Sequence, residues 1–131
     1  MFNDECKKEC DLLSNKIIGS AIEVHKNLGP GLLESSYESC LCYEFSLRNI
    51  EFKRQLALNI KYKNTIVEGG YRIDLLVNDL VIVELKCVDE INKIHKAQLL
   101  TYLRLSNKWL GLIINFNVTS LNSGIKRLVL G

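Results

Sequence analysis

The 131-residue chain contains a single proline and only eight glycines, too few for a collagen-like or Pro/Gly-rich disordered polymer. No apolar run approaches the ~18 residues that a membrane-crossing helix requires, so no membrane association is expected. The first residues, Met1–Asp11, mix acidic and basic side chains without the apolar stretch of a secretory signal, and a cytoplasmic location is the expectation. The five cysteines are odd in number, and none stands in the C-x-x-C spacing that closes around zinc. Cys6 and Cys10, four apart, join Cys40 and Cys42 as formal candidates for an iron–sulfur cluster, but reduced thiols acting as small buried hydrophobes are the simpler reading. There is neither a G-x-S-x-G motif nor a recognisable Cys–His arrangement, which sets aside a serine or cysteine hydrolase.

The remaining composition is that of an ordinary globular protein, 47% hydrophobic and 24% charged. A chain of this length hides roughly two thirds of its unfolded surface on folding. A single domain spanning residues 1–131 is expected, without linker or internal repeat. The net charge of +2 is unevenly spread: residues 1–50 carry five basic against eight acidic side chains, and residues 51–131 twelve against seven. The second half is the one suited to face an anion.

Periodicity sets out the elements. Leu12, Leu13, Ile17, Ile18, Ala21, Ile22 and Val24 recur at helical spacing until Gly29-Pro30-Gly31 stops them. Leu32, Leu33, Tyr37, Leu41, Phe45 and Leu47 describe a second helix ending near Arg48-Asn49. From Phe52 the period becomes two, with Phe52, Arg54, Leu56, Leu58, Ile60 and Tyr62 expected on one face of a strand. A second strand, Ile66 to Val77, is interrupted by Gly69-Gly70, and a third runs from Val81. Ile91 to Leu105 is again helical, with Asp89 expected to favour its start. Trp109 to Phe116 reads as a buried strand and Ile125 to Leu130 as a short last one. The order α-α-β-β-β-α-β-β implies an α/β fold, one mixed sheet covered by helices.

Polar residues interrupt the most apolar of these strands. In Val81-Ile82-Val83-Glu84-Leu85-Lys86, Glu84 and Lys86 are two apart and share a face. Burying two charges demands pairing. Asp74 lies in the preceding strand between Ile73 and Leu75, so two carboxylates and an ammonium converge on neighbouring strands. Gathered carboxylates repel unless a divalent cation neutralises them, and oxygen donors suit Mg²⁺ or Mn²⁺. A two-residue turn at Asn78-Asp79 would pair Asp74 with Val83 and aim its carboxylate at the wrong face. A three-residue connection, Asn78 to Leu80, sets Asp74 opposite Glu84, and this longer turn or an equivalent bulge is predicted.

These residues resemble a known family. Asp74, Glu84 and Lys86 match the D-x9-E-x-K signature of the PD-(D/E)XK nuclease superfamily, and Gly31-Leu32-Leu33-Glu34-Ser35-Ser36-Tyr37 matches the G-x-x-E-x-x-Y segment of a small family within it. The likeness runs from about Ile17 to Phe116. It implies a restriction-endonuclease-like core, α-β-β-β-α-β, here with one extra amino-terminal helix and a short carboxy-terminal strand. It also implies that Glu34 joins Asp74 and Glu84 at the metal. Gln98 and Tyr102, four apart on one helical face, resemble the Q-x-x-x-Y feature of the RecB-like branch, where the pair braces the site. His25 is nine residues ahead of Glu34, where RecB-like members often carry a metal-binding histidine, although a partly exposed helix-end histidine is the simpler reading. Tyr37 is expected to pack its helix against the sheet with its hydroxyl hydrogen-bonded.

The function implied is a metal-dependent nuclease that hydrolyses DNA phosphodiester bonds through a metal-activated water. Asp74, Glu84 and Glu34 would hold Mg²⁺ or Mn²⁺, Lys86 would orient the water and offset charge, and Gln98 and Tyr102 would brace the site. Nucleic acid is then the partner. Trp109 and the apolar residues of the last strand are open to serving either a homodimer interface or the core. The alternative is a catalytically inactive nuclease-fold module that binds nucleic acid or regulates, since folds outlast their chemistry.

Overall fold

The computed structural model describes residues 1–131. Helix α1 (Asp4–Leu28) begins eight residues ahead of the first periodic apolar residue, because Asn3 caps it: its side chain accepts the Cys6 N–H at 2.8 Å, and Asp4 and Glu5 complement the dipole. Its inner face buries Leu13, Ile17, Ala21 and Val24, leaving Leu12 and Ile22 exposed. Gly29 and Gly31 take positive φ, 69° and 102°, and turn the chain into α2 (Glu34–Leu47). Tyr37 secures that turn. Its ring stacks on Phe116 at 4.5 Å, its hydroxyl donates to the Gly29 carbonyl, and the Leu32 N–H donates to the hydroxyl.

Five strands follow, β1 (Phe52–Tyr62), β2 (Thr65–Val77), β3 (Val81–Lys86), β4 (Leu110–Asn115) and β5 (Ile125–Val129), hydrogen-bonded side by side in that order. All neighbours are antiparallel except β3 and β4, which run parallel because α3 (Lys93–Ser106) carries the chain back between them. The expected α-β-β-β-α-β order is present, with one helix before it and one strand after. Helix α3 is begun by Asn92 rather than helped by Asp89: the Asn92 side chain accepts the His95 N–H, and His95 Nδ1 accepts the Asn92 N–H.

The sheet divides the apolar interior in two. Against α1 and α2 lie Leu75, Val77, Val81, Val83, Leu85, Leu110, Leu112 and Ile114. Against α3 lie Ile73, Leu76, Ile82 and Ile113 with Leu99, Tyr102 and Leu103. The last strand serves these cores, Val129 the first and Leu128 the second, while Trp109, half-buried against the first core, has the cations of Lys7 and Arg127 over its ring at 5.5 and 5.4 Å. All five cysteines are free thiols; Cys10 and Cys42 are buried as expected, but Cys6 and Cys87 are only half-buried and Cys40 is exposed.

Strict alternation along β1 fails. Phe52 packs with the α1–α2 core, yet Leu56 and Leu58, which should share its face, pack with α3. On β2, Leu75 and Val77 belong to the first core and Ile73 to the second. The register nevertheless holds, Arg54 opposite Leu75 and Leu56 opposite Ile73. The two-stranded ribbon therefore swings from one side of the sheet to the other at the step between, Gln55 against Asp74, where Gln55 has φ 51°. A left-handed residue inside a strand re-aims everything beyond it.

Candidate active site

The predicted turn length is realised. Asn78 and Asp79 both take positive φ, the Leu80 N–H donates to the Val77 carbonyl at 2.9 Å, and pairing resumes one residue later with Val77 opposite Val81. The ladder between β2 and β3 then runs for three pairs and ends at Leu75 opposite Val83. The next residues are Asp74 and Glu84. There the strands part, and the carboxylates replace the missing ladder bonds: the Asp74 N–H donates to Glu84 Oε2 at 2.8 Å, and the Leu85 N–H donates to Asp74 Oδ2 at 2.9 Å.

Burial and mutual repulsion govern these acids. Glu84 is 5% exposed. Burial, then the neighbouring Asp74 carboxylate, pushes its carboxyl up to about 8, against the pull of the Asp74 N–H and of Lys86. Asp74 is half-buried, and burial raises it too, partly offset by the Leu85 N–H. Glu34, in the exposed first turn of α2, is raised by partial burial and by Asp74, and lowered by Lys86 and the Cys87 N–H. Three acids from α2, β2 and β3 thus feel one another's charge. Lys86 opposes all three, yet it is bound to none of them, since the ion pairs of the protein are Arg48–Glu44, Arg54–Glu38, Lys108–Asp79 and Arg127–Asp11.

On α3, Tyr102 is buried, and its hydroxyl is raised first by burial and then by the charges of Glu84 and Asp74, so it belongs to this neighbourhood. Its ring meets Tyr71 edge-on at 6.5 Å. Gln98, one turn earlier, is half-buried and makes no hydrogen bond to the acids or to Lys86. His25 is elsewhere and is not the partly exposed helix-end residue expected: it is 7% exposed, and its Nε2 pairs with the Val118 carbonyl at 2.8 Å, tying α1 to the chain beyond β4.

Three further residues surround the acids without any motif to announce them. Glu38, one turn beyond Glu34, is buried and receives Arg54 Nη2 at 2.9 Å and Gln55 Nε2 at 2.8 Å. Gln55 Nε2 also reaches Asp74 Oδ1 at 3.4 Å. Helical spacing from Glu34 to Glu38 was the available signal. Asn115, 2% exposed at the end of β4, accepts the Val88 N–H and donates to the Val88 carbonyl, fastening the chain just past Lys86.

The donors suit a hard cation. They are carboxylates only, without thiol or imidazole, the Asp74 charge holds up the pKa of both Glu34 and Glu84, and Glu84 Oε1 accepts no hydrogen bond from the protein. They are not drawn into a cage: no three Asp, Glu, His or Cys side chains are gathered closely enough to enclose an ion. Like charges left to themselves separate, and Asp74 and Glu84 instead bond to backbone N–H groups. The site is an open edge, with the largest cleft, about 540 Å³ between Ile50–Lys53 and Leu76–Asp79, lying away from it.

No helix is long and apolar enough to cross a membrane. No curated protein and no solved structure matches the chain. A family model does, that of the PD-(D/E)XK nuclease superfamily, over residues 11–128, a span that holds α2 and α3, most of α1, β1 to β4 and nearly all of β5, with Glu34, Asp74 and Glu84. With the mixed sheet, the parting of β2 from β3 and the Asp74–Glu84–Lys86 group all lying inside that span, the chain belongs to the PD-(D/E)XK nuclease superfamily.

Proposed function

We propose that this chain is a single-domain, divalent-metal-dependent nuclease acting on DNA, of the G-x-x-E-x-x-Y type with a RecB-like Q-x-x-x-Y feature. The observation that carries this reading is the end of the β2–β3 ladder, where Asp74 and Glu84 bond across the gap with Glu34 and Lys86 within electrostatic reach. Nucleases of this superfamily generally use divalent metal ions. Asp74, Glu84 and Glu34 would hold Mg²⁺ or Mn²⁺, which would supply charge neutralisation and Lewis acidity at the phosphoryl group.

The chain's own residues have separable tasks. Lys86 keeps an unbound ammonium beside the acids, placed to orient a water and to offset charge that builds on phosphoryl oxygens. Tyr102 closes the α3 side of the site, and Gln98, one turn away, is assigned to the substrate strand rather than to the acids. An open edge suits a polymer, which need not be engulfed.

The test is calorimetric titration of Mn²⁺ into the wild type and into an Asp74→Asn, Glu84→Gln double variant whose folding is verified, followed by cleavage of plasmid and linear DNA. Saturable binding lost in the variant, with Mn²⁺-dependent cleavage, is expected. A wild type that binds no Mn²⁺, with or without DNA present, would instead leave a non-catalytic nucleic-acid-binding module.

A further inference from the structure

Gln55 is held in a backbone conformation that glycine would adopt freely. Its φ of 51° lies inside an eleven-residue strand, where a left-handed L residue persists only because its surroundings enforce it. The Arg72 guanidinium donates to the Gln55 carbonyl at 3.2 Å and holds the kink from the neighbouring strand. Filling space does not explain the residue, since Gln55 is exposed. What glutamine supplies there is an amide nitrogen with two hydrogens, and both have acceptors: Glu38 Oε1 at 2.8 Å and Asp74 Oδ1 at 3.4 Å.

Each acceptor is anchored on its other side. Glu38 is gripped by Arg54 through Nη2 at 2.9 Å and Nε at 3.3 Å. Asp74 Oδ2 takes the Leu85 N–H. The Asp74 carboxylate is therefore located by one donor from each flanking strand, a backbone N–H from β3 and the Gln55 amide from β1. The same left-handed step that swings the ribbon across the sheet delivers that amide.

We propose that Gln55 is a positioning residue for the metal site: its amide, braced on Glu38, fixes the orientation of Asp74, and the strained backbone at position 55 is retained for that purpose. The proposal rests on the metal-site reading above. Outer partners of ligating carboxylates tune affinity by about 10–100-fold, and strain kept for function is relieved when the function is removed.

The two contributions have opposite signs in a Gln55→Gly variant, which frees the backbone and deletes the amide. Mn²⁺ affinity by calorimetry is expected to fall roughly 10–100-fold while the melting temperature stays level or rises. A Gln55→Asn variant, tolerant of the same φ but one methylene short, should lose affinity likewise. Unchanged Mn²⁺ affinity in both variants, or a loss matched by a lowered melting temperature in both, would overturn the positioning role. Asp74→Asn separates the two levels. A wild type that binds Mn²⁺, a dead Asp74→Asn and unaffected Gln55 variants would refute this inference alone, whereas a wild type that does not bind refutes the metal site and this inference with it.

Discussion

Glu84 should make the metal-free protein weaker as the solution becomes more alkaline. Its carboxyl is raised from an ordinary 4.5 to about 8 by burial and by Asp74. A raised folded pKa means that the native state holds the proton more tightly than the unfolded chain. The stabilisation is therefore complete below about pH 4.5 and drains away as the pH climbs to about 8. At about 1.4 kcal/mol per pKa unit the ceiling is roughly 5 kcal/mol, and relaxation of the Asp74–Glu84 pair brings a realistic loss to about 2–4 kcal/mol. Glu84→Gln keeps the shape and an oxygen for the Asp74 N–H while removing the titration. In chelator, urea denaturation followed through Trp109, the single tryptophan, should show wild-type stability falling between pH 5 and 8.5 on the order of these few kcal/mol, with the variant, in which Asp74 and Glu34 still titrate above their ordinary values, falling less and the more stable of the two at the alkaline end. Saturating Mn²⁺ should restore the wild type and leave the variant unmoved. Parallel pH profiles for the two proteins in chelator would refute the reasoning, because they would mean that Glu84 is already charged and solvated.

Lys86→Ala should abolish DNA cleavage while Mn²⁺ binding by calorimetry is largely spared; intact turnover would remove Lys86 from the chemistry. Deleting Leu80 should leave Val77 opposite Val81 across a two-residue turn and so keep Asp74 opposite Glu84; a folded protein, some 1–3 kcal/mol weaker in urea, should still bind Mn²⁺, and lost binding would mean that the three-residue turn itself positions the acids. Tyr37→Phe should cost about 1–2 kcal/mol by the same denaturation assay, since the hydroxyl serves both the Gly29 carbonyl and the Leu32 N–H; an unchanged midpoint would mean that water replaces it.

Legibility followed the range of the interaction. The three helices and five strands were readable because their periods and stops are local: Gly29-Pro30-Gly31 ended one helix, and the change of period at Phe52 began the sheet. Asp74 and Glu84 were readable together because one short turn joins their strands, and its three-residue length follows from the demand that both carboxylates share a side. The start of α1 at Asp4 and of α3 at Lys93 was misjudged because caps formed by single side chains, Asn3 and Asn92, outrank apolar spacing.

By itself, then, the sequence determined the order of elements, the D-x9-E-x-K group and a chain without membrane helices, since each depends on neighbours along the backbone. Only the tertiary structure decided that β1 and β2 change sides at Gln55, that Glu38 and Arg54 stand behind Asp74, that β4 lies parallel to β3 and that His25 is buried against Val118. These depend on groups far apart in the chain meeting across a gap. Alternation assumes a uniformly extended backbone, and one left-handed residue, stabilised only by partners on α2 and β2, is enough to break it.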